Sequence, residues 1–161
     1  MADHEGKPDA GGMSFAIVAS RFNDFVVDNL IQGATDRLIE LGTAKDAIKL
    51  YQVPGAFEIP GVARKLIDEG SFDGIICLGA VIRGATPHFD YVAGESAREI
   101  AHLAARSPVP VIYGVLTTDD VEQARERAQP DAENKGTEAA SATVEMAALY
   151  AELKRNLSPD A

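Results

Sequence analysis

The segment Arg83-Gly84-Ala85-Thr86-Pro87-His88 gathers groups that can hold an anion and move a proton. It follows an apolar run and opens a helical pattern, where unpaired backbone N–H groups and the positive end of the helix dipole favour negative charge. Gly84 lets a ligand approach the backbone, Thr86 can cap the helix or give its hydroxyl to a phosphate oxygen, and Pro87 suits the first helical position. His88 lies just inside the helix, and imidazole gives and takes protons near neutral pH. The competing reading is a capped helix start carrying a solvated histidine.

A second segment, Pro54-Gly55-Ala56-Phe57-Glu58-Ile59-Pro60, puts a carboxylate in a first helical turn. The dipole favours an acid there with or without function. As a site residue, Glu58 would accept hydrogen bonds from sugar or polyol hydroxyls while Phe57 walls the pocket. Phe22 and Asn23 follow the first apolar run, where an exposed aromatic can stack on a planar heterocycle or simply staple the next helix. Tyr113, inside a later apolar run, reads as core more readily than as a contact. Arg127 and Lys135 flank a proline-containing turn, where most charges are solvated.

The elements that must position these residues alternate along the chain. Strands are expected at Phe15–Ala19, Ala47–Val53, Gly74–Ile82 and Pro110–Leu116, and helices at Phe25–Leu41, Phe57–Glu69, about Pro87–Ala105, Asp119–Ala128 and about Asn134–Leu153. The uncharged run Gly74–Ile82 marks a central parallel strand, whereas Lys49 within Ala47–Val53 suggests an edge. Right-handed βαβ crossovers place helices on both faces of a four-stranded parallel sheet, giving an α/β, flavodoxin-like, doubly wound three-layer sandwich. Ligands in such sheets bind at the carboxyl ends of the strands. That rule selects the loops Ser20–Asp24, Pro54–Glu58, Arg83–His88 and Thr117–Asp120.

Composition narrows the partners. The 161 residues include 15 Lys and Arg against 25 Asp and Glu, a formal net charge of -10, with no basic stripe for nucleic acid. An anionic substrate must therefore be captured by local donors. Cys77 is the single cysteine, which excludes an intramolecular disulfide and reads as an inert buried thiol in a reducing compartment. There is no signal-peptide or membrane-span pattern, so the expectation is a cytoplasmic, soluble protein without membrane partners. The expected organisation is a flexible tail over residues 1–12, one domain over residues 13–157, and a short tail at Ser158–Ala161. The three histidines, His4, His88 and His102, form no cluster of metal ligands.

Taken together, Ser20-Arg21-Phe22-Asn23, Val53 to Pro60, Leu78 to Val92, Gly114-Val115-Leu116-Thr117-Thr118 and Asn134-Lys135-Gly136 resemble the lumazine synthases from Phe15 to about Tyr150. The resemblance implies condensation of 5-amino-6-(D-ribitylamino)uracil with 3,4-dihydroxy-2-butanone 4-phosphate, without metal or other cofactor, in riboflavin biosynthesis. It implies that Phe22 stacks on the pyrimidine, with Asn23 beside it. Ala56, Phe57 and Glu58 would hold the pyrimidine and ribityl chain, and Ala80, Val81 and Ile82 the ring, largely through backbone. Gly84, Ala85, Thr86, Arg127 and Lys135 would bind the phosphate, and His88 would be the proton donor. Tyr113 stands where the family usually has Phe, so its ring should stack while its hydroxyl needs a polar partner.

The resemblance further implies a homopentamer with sites shared between subunits, and riboflavin synthase as a partner; it leaves both the pentamer and an icosahedral assembly of pentamers open, since the turn Gln129-Pro130-Asp131-Ala132-Glu133 lacks the glycines of many cage-forming members. The closing helix is rich in small residues, Ala139, Ala140, Ser141, Ala142, Ala147 and Ala148, which permit close approach of another helix or serve internal packing. Two rival readings are an archaeal-type riboflavin synthase and a mainly structural cage subunit. A receiver or flavin module would need paired acids or a Ser/Thr-rich loop after the first strand, which Ser20-Arg21-Phe22-Asn23 does not supply.

Overall fold

Strand β1 (Phe15–Ser20) consists of six buried residues, and its alternate side chains enter two different cores. In the computed structural model, which describes residues 1–131 and 133–157, the chain continues through α1 (Asp24–Glu40), β2 (Ile48–Val53), α2 (Ile59–Glu69), β3 (Gly74–Ile82), α3 (His88–Arg106), β4 (Val111–Thr118), α4 (Val121–Arg127) and α5 (Lys135–Leu157). The tail Ser158–Ala161 lies outside the described residues. All strand pairs are parallel and the order is β2-β1-β3-β4, the flavodoxin-like arrangement expected.

Phe15, Ile17 and Ala19 of β1 join Ile76, Leu78 and Ala80 of β3 beneath α1 and α5. Ala16 and Val18 join Ile75, Cys77 and Val81 beneath α2 and α3. A strand covered on both faces must be apolar throughout, which is why Gly74–Ile82 carries no charge. Burial also pushes the Cys77 thiol up to about 12, so it stays protonated and inert. Edge strand β2 is more open, with Lys49 exposed.

Most of the small residues of α5 are used within the chain, while Ala142 and Ala148 stay half-buried. A Cβ on Gly136 would stand 2.0 Å from the Leu30 carbonyl oxygen, so only glycine allows α5 to start this close to α1. Ala139, Ala140 and Ala147 are buried in the same core, and the Ser141 hydroxyl accepts a hydrogen bond from Arg37 Nε at 2.9 Å. Internal packing therefore accounts for this side of the helix. The segment before β1 also rests on the domain: Ala10 is fully buried and its N–H donates to Leu41, while His4 pairs with Glu152.

Several boundaries differ from the sequence reading for local reasons. The segment Ala56–Glu58 is a tight 3-10 turn and α2 begins only at Ile59. Pro60 has no N–H to return to Ala56, while Glu58 accepts the Gly55 N–H at 3.0 Å. Strand β4 continues to Thr118 because β3 runs to Ile82, its register partner. Asp120 then caps α4, its carboxylate accepting the Gln123 N–H at 2.8 Å, which moves the helix start from Asp119 to Val121.

Candidate active site

The sheet reverses its winding between β1 and β3. Helix α1 leaves β1 on one face, α3 leaves β3 on the other, and the crevice between them is where a doubly wound sheet holds its ligand. A cleft of about 660 Å³ lies there, of the size that takes a small-molecule ligand. Three of the four loops selected from sequence line it. The fourth does not line this cleft; its Thr117 lines a different concavity.

Backbone geometry opens the floor of this cleft. The β1–β3 ladder ends at Ala19 opposite Leu78, whereas the β3–β4 ladder reaches Ile82 opposite Thr118. Beyond Leu78, the edge of β3 on the β1 side therefore has no strand beside it. Backbone groups alternate in direction along a strand: the Arg83 N–H donates to Thr118 on the β4 side, so Ala80 and Ile82 face the cleft. The Ala80 carbonyl accepts the Asn23 side-chain amide at 2.8 Å. Ile82 presents an amide donor and acceptor toward the cleft, in the manner of a strand edge.

Asn23 is the one non-glycine residue with positive φ among those described, at φ 63°. Its bond to Ala80 and its own carbonyl, which accepts the Val26 and Val27 N–H groups, hold the turn that leads into α1. This turn leaves Phe22 at the cleft with 71% of its surface exposed, so the ring is not spent stapling the helix. Phe57, 58% exposed, lines the cleft from the loop after β2, beside buried Ala56. Glu58 spends one carboxylate oxygen on Gly55 and lines the same wall.

Gly84, Thr86 and His88 also line the cleft, while Ala85 is exposed in the loop between them. A Cβ at Gly84 would meet no atom within 4 Å, so the space above this glycine is open to a ligand. Thr86 does not cap α3: the capping position is Pro87, with no side-chain cap, which leaves the Thr86 hydroxyl uncommitted to the helix. His88 is the first residue of α3, exposed, with no side-chain partner among the described residues.

Tyr113, Arg127 and Lys135 do not join this group. They line a separate concavity of about 380 Å³ along β4 and α5. Tyr113 is 43% exposed rather than core, because β4 is an edge strand. Partial burial still raises its phenol above the ordinary value of 10.0. Arg127 donates to the Gln123 carbonyl at 2.9 Å, and Lys135 pairs with Glu138 at 2.9 Å.

Phe89, Tyr91 and Val92 line the cleft and were not singled out from sequence. The signal was available for two of them: Tyr91 and Val92 stand three and four positions after His88, the spacing that shares one helix face. Among the described residues there is no group of three or more His, Cys, Asp or Glu side chains placed to hold a metal, and no helix long and apolar enough to cross a membrane.

An open parallel sheet with a lined cleft at its switch point defines an α/β protein built for small-ligand chemistry. Residues 12–151 match the family model described as 6,7-dimethyl-8-ribityllumazine synthase. A Nitratidesulfovibrio vulgaris protein of that name is 54% identical over 149 residues, covering 92% of this chain and 96% of its own. One from Clostridium kluyveri is 50% identical over 154 residues, covering 96% of this chain and 100% of its own. The chain belongs to the 6,7-dimethyl-8-ribityllumazine synthase family, a family of transferase-type enzymes.

Proposed function

We propose that the chain condenses 5-amino-6-(D-ribitylamino)uracil with 3,4-dihydroxy-2-butanone 4-phosphate to 6,7-dimethyl-8-ribityllumazine, a step of riboflavin biosynthesis in the cytoplasm. The observation that carries this reading is the unpaired end of β3 in one cleft with two exposed aromatic rings and an open glycine loop. A flat heterocycle with amide-like edges suits the backbone of Ala80 and Ile82, with Val81 lining the floor between them and Phe22 against its face. Ala56, Phe57 and Glu58 border the ribityl chain. Gly84, Ala85 and Thr86, before the positive end of α3, take the phosphate.

In this scheme the 5-amino group attacks the butanone ketone, and loss of water gives a Schiff base. Phosphate then leaves by elimination to give an enol, which tautomerises to a new carbonyl at the carbon that bore the 3-hydroxyl; the ribitylamino nitrogen closes the ring on that carbonyl, and a second water departs. His88 at the rim shuttles the protons, while holding two reactants together supplies much of the acceleration. Every atom lost leaves as phosphate or water, so the sequence of steps balances without an oxidant.

Arg127, Lys135 and Tyr113 enter this scheme from a neighbouring subunit. They line a different concavity of their own chain, so a homopentameric ring that sets this concavity against the next subunit's cleft unites the two sets. Purified protein given both substrates is expected to produce a fluorescent lumazine and release one phosphate per turnover. Product formed from a lumazine alone, or no phosphate release, would overturn the assignment.

A further inference from the structure

Arg83 is the one cation of the β3–α3 loop, yet it does not line the cleft. Its Nε donates to Asp119 at 3.2 Å, one terminal nitrogen pairs with Asp90 at 3.5 Å, and its guanidinium carbon stands 4.3 Å from the centroid of the Phe89 ring. Its backbone N–H is fixed to Thr118 at 2.9 Å. These contacts tie both ends of the loop together: residue 83 at the entry, residues 89 and 90 just past the exit, and Asp119 on the turn after β4. Between those ends, Gly84, Ala85, Thr86 and Pro87 are all exposed and have no side-chain hydrogen bond among the described residues.

We infer that Arg83 is a positioning residue that holds the Gly84–Pro87 loop in its anion-binding shape, with Asp119 as its anchor, rather than a ligand of the phosphate. This rests on the phosphate reading of the loop proposed above. The planar fork suits the task, because it can meet two carboxylates at its edge while its face lies on the Phe89 ring. Lysine could supply the charge without that geometry.

The sign of one substitution separates bracing from simple electrostatics. Removing the Asp119 carboxylate takes a negative charge away from an anion site, so by field alone Asp119→Ala should tighten phosphate binding. Bracing requires the opposite. From the modest strength of exposed ion pairs and cation–π contacts, the inhibition constant of inorganic phosphate should rise roughly three- to tenfold. The KM of the phosphate substrate should rise with it, while the KM of the pyrimidine stays put. Arg83→Gln should do at least as much, Arg83→Lys should recover only part, and the double variant should be no worse than Arg83→Gln alone.

The experiment measures both KM values and phosphate inhibition on the purified assembled enzyme, with thermal melts to establish that each variant is folded. Thr86→Val is the control for the loop itself. If Thr86→Val weakens phosphate while Asp119→Ala tightens it or changes nothing, the bracing role is overturned and the loop reading survives. If neither substitution moves phosphate inhibition, the loop reading fails and the brace falls with it.

Discussion

At the β1–β3 switch point the backbone does most of the positioning. One ladder stops four residues before the other, Asn23 holds the exposed end, and the exposed rings of Phe22 and Phe57 line a concave space already formed in one chain. Along β4 and α5 the concavity is smaller, and its two cations are held by their own chain, Arg127 by Gln123 and Lys135 by Glu138. Under the proposed function the first region needs only a ligand, and the second a counterpart, because exposed pairs of this kind contribute little by themselves and can be exchanged for a better anion.

The largest expected effect on substrate binding comes from the second region. Arg127→Ala should weaken the phosphate substrate about ten- to a hundredfold, the range of a hydrogen bond to a charged group, while the pyrimidine is unaffected. Lysine at this position should rescue in part. Equal weakening of both substrates in titrations would place Arg127 outside the phosphate site.

Mixing subunits tests whether the regions meet across chains. His88→Ala alone should lower turnover about a hundredfold, the low end for a general acid/base, since proximity carries part of the rate. If each site takes its cleft from one subunit and Arg127 from the next, co-assembling His88→Ala with Arg127→Ala in equal amounts restores about a quarter of the sites. Activity that stays at the level of the two parents would show that each chain uses its own residues.

A smaller effect belongs to the cleft alone. Phe22→Ala should raise the pyrimidine KM several-fold, in line with the roughly 0.5–1.5 kcal/mol of a stacked aromatic pair, and leave the phosphate KM unchanged. A change in the phosphate KM instead would move Phe22 away from the ring.

Much of the fold was legible because each element satisfies its own local rule. The uncharged stretch Gly74–Ile82 could only be a covered strand, and its bounds agree with the structure. The ends of Ala56–Glu58 and Val121–Arg127 were less legible, since they depend on a missing proline N–H and a single carboxylate cap. For the candidate site, strand-end loops could be chosen by topology alone. That Tyr113, Arg127 and Lys135 stand apart from the cleft was not legible in pattern or spacing, because residues close in a motif list need not share one surface of one chain; only the resemblance, with sites shared between subunits that include Tyr113 or Arg127, pointed to it. Arg83 was passed over for a similar reason: its role is set by Asp119, far along the sequence.

The smallest expected effect is that of Tyr113→Phe, and it bears on what covers the second region. Near pH 7 the variant should match the parent in stability within about 0.5 kcal/mol, because the hydroxyl has no side-chain hydrogen bond among the described residues. The difference should emerge in alkali. Burial raises the phenol above 10.0 in the folded state, so the unfolded chain ionises first and binds fewer protons. The contribution of Tyr113 is thus fully present below the unfolded value and is lost as the pH climbs through the window above it. Phenylalanine has no such loss, and the variant should become the more stable protein there. A subunit docked over the ring would desolvate it further and push in the same direction, enlarging the alkaline gap in the assembled form. Denaturant unfolding of both proteins from about pH 7 to about pH 11, at concentrations above and below assembly, is the measurement. A gap that grows with assembly places Tyr113 under a neighbour; a gap independent of concentration leaves β4 uncovered and separates the two regions for good.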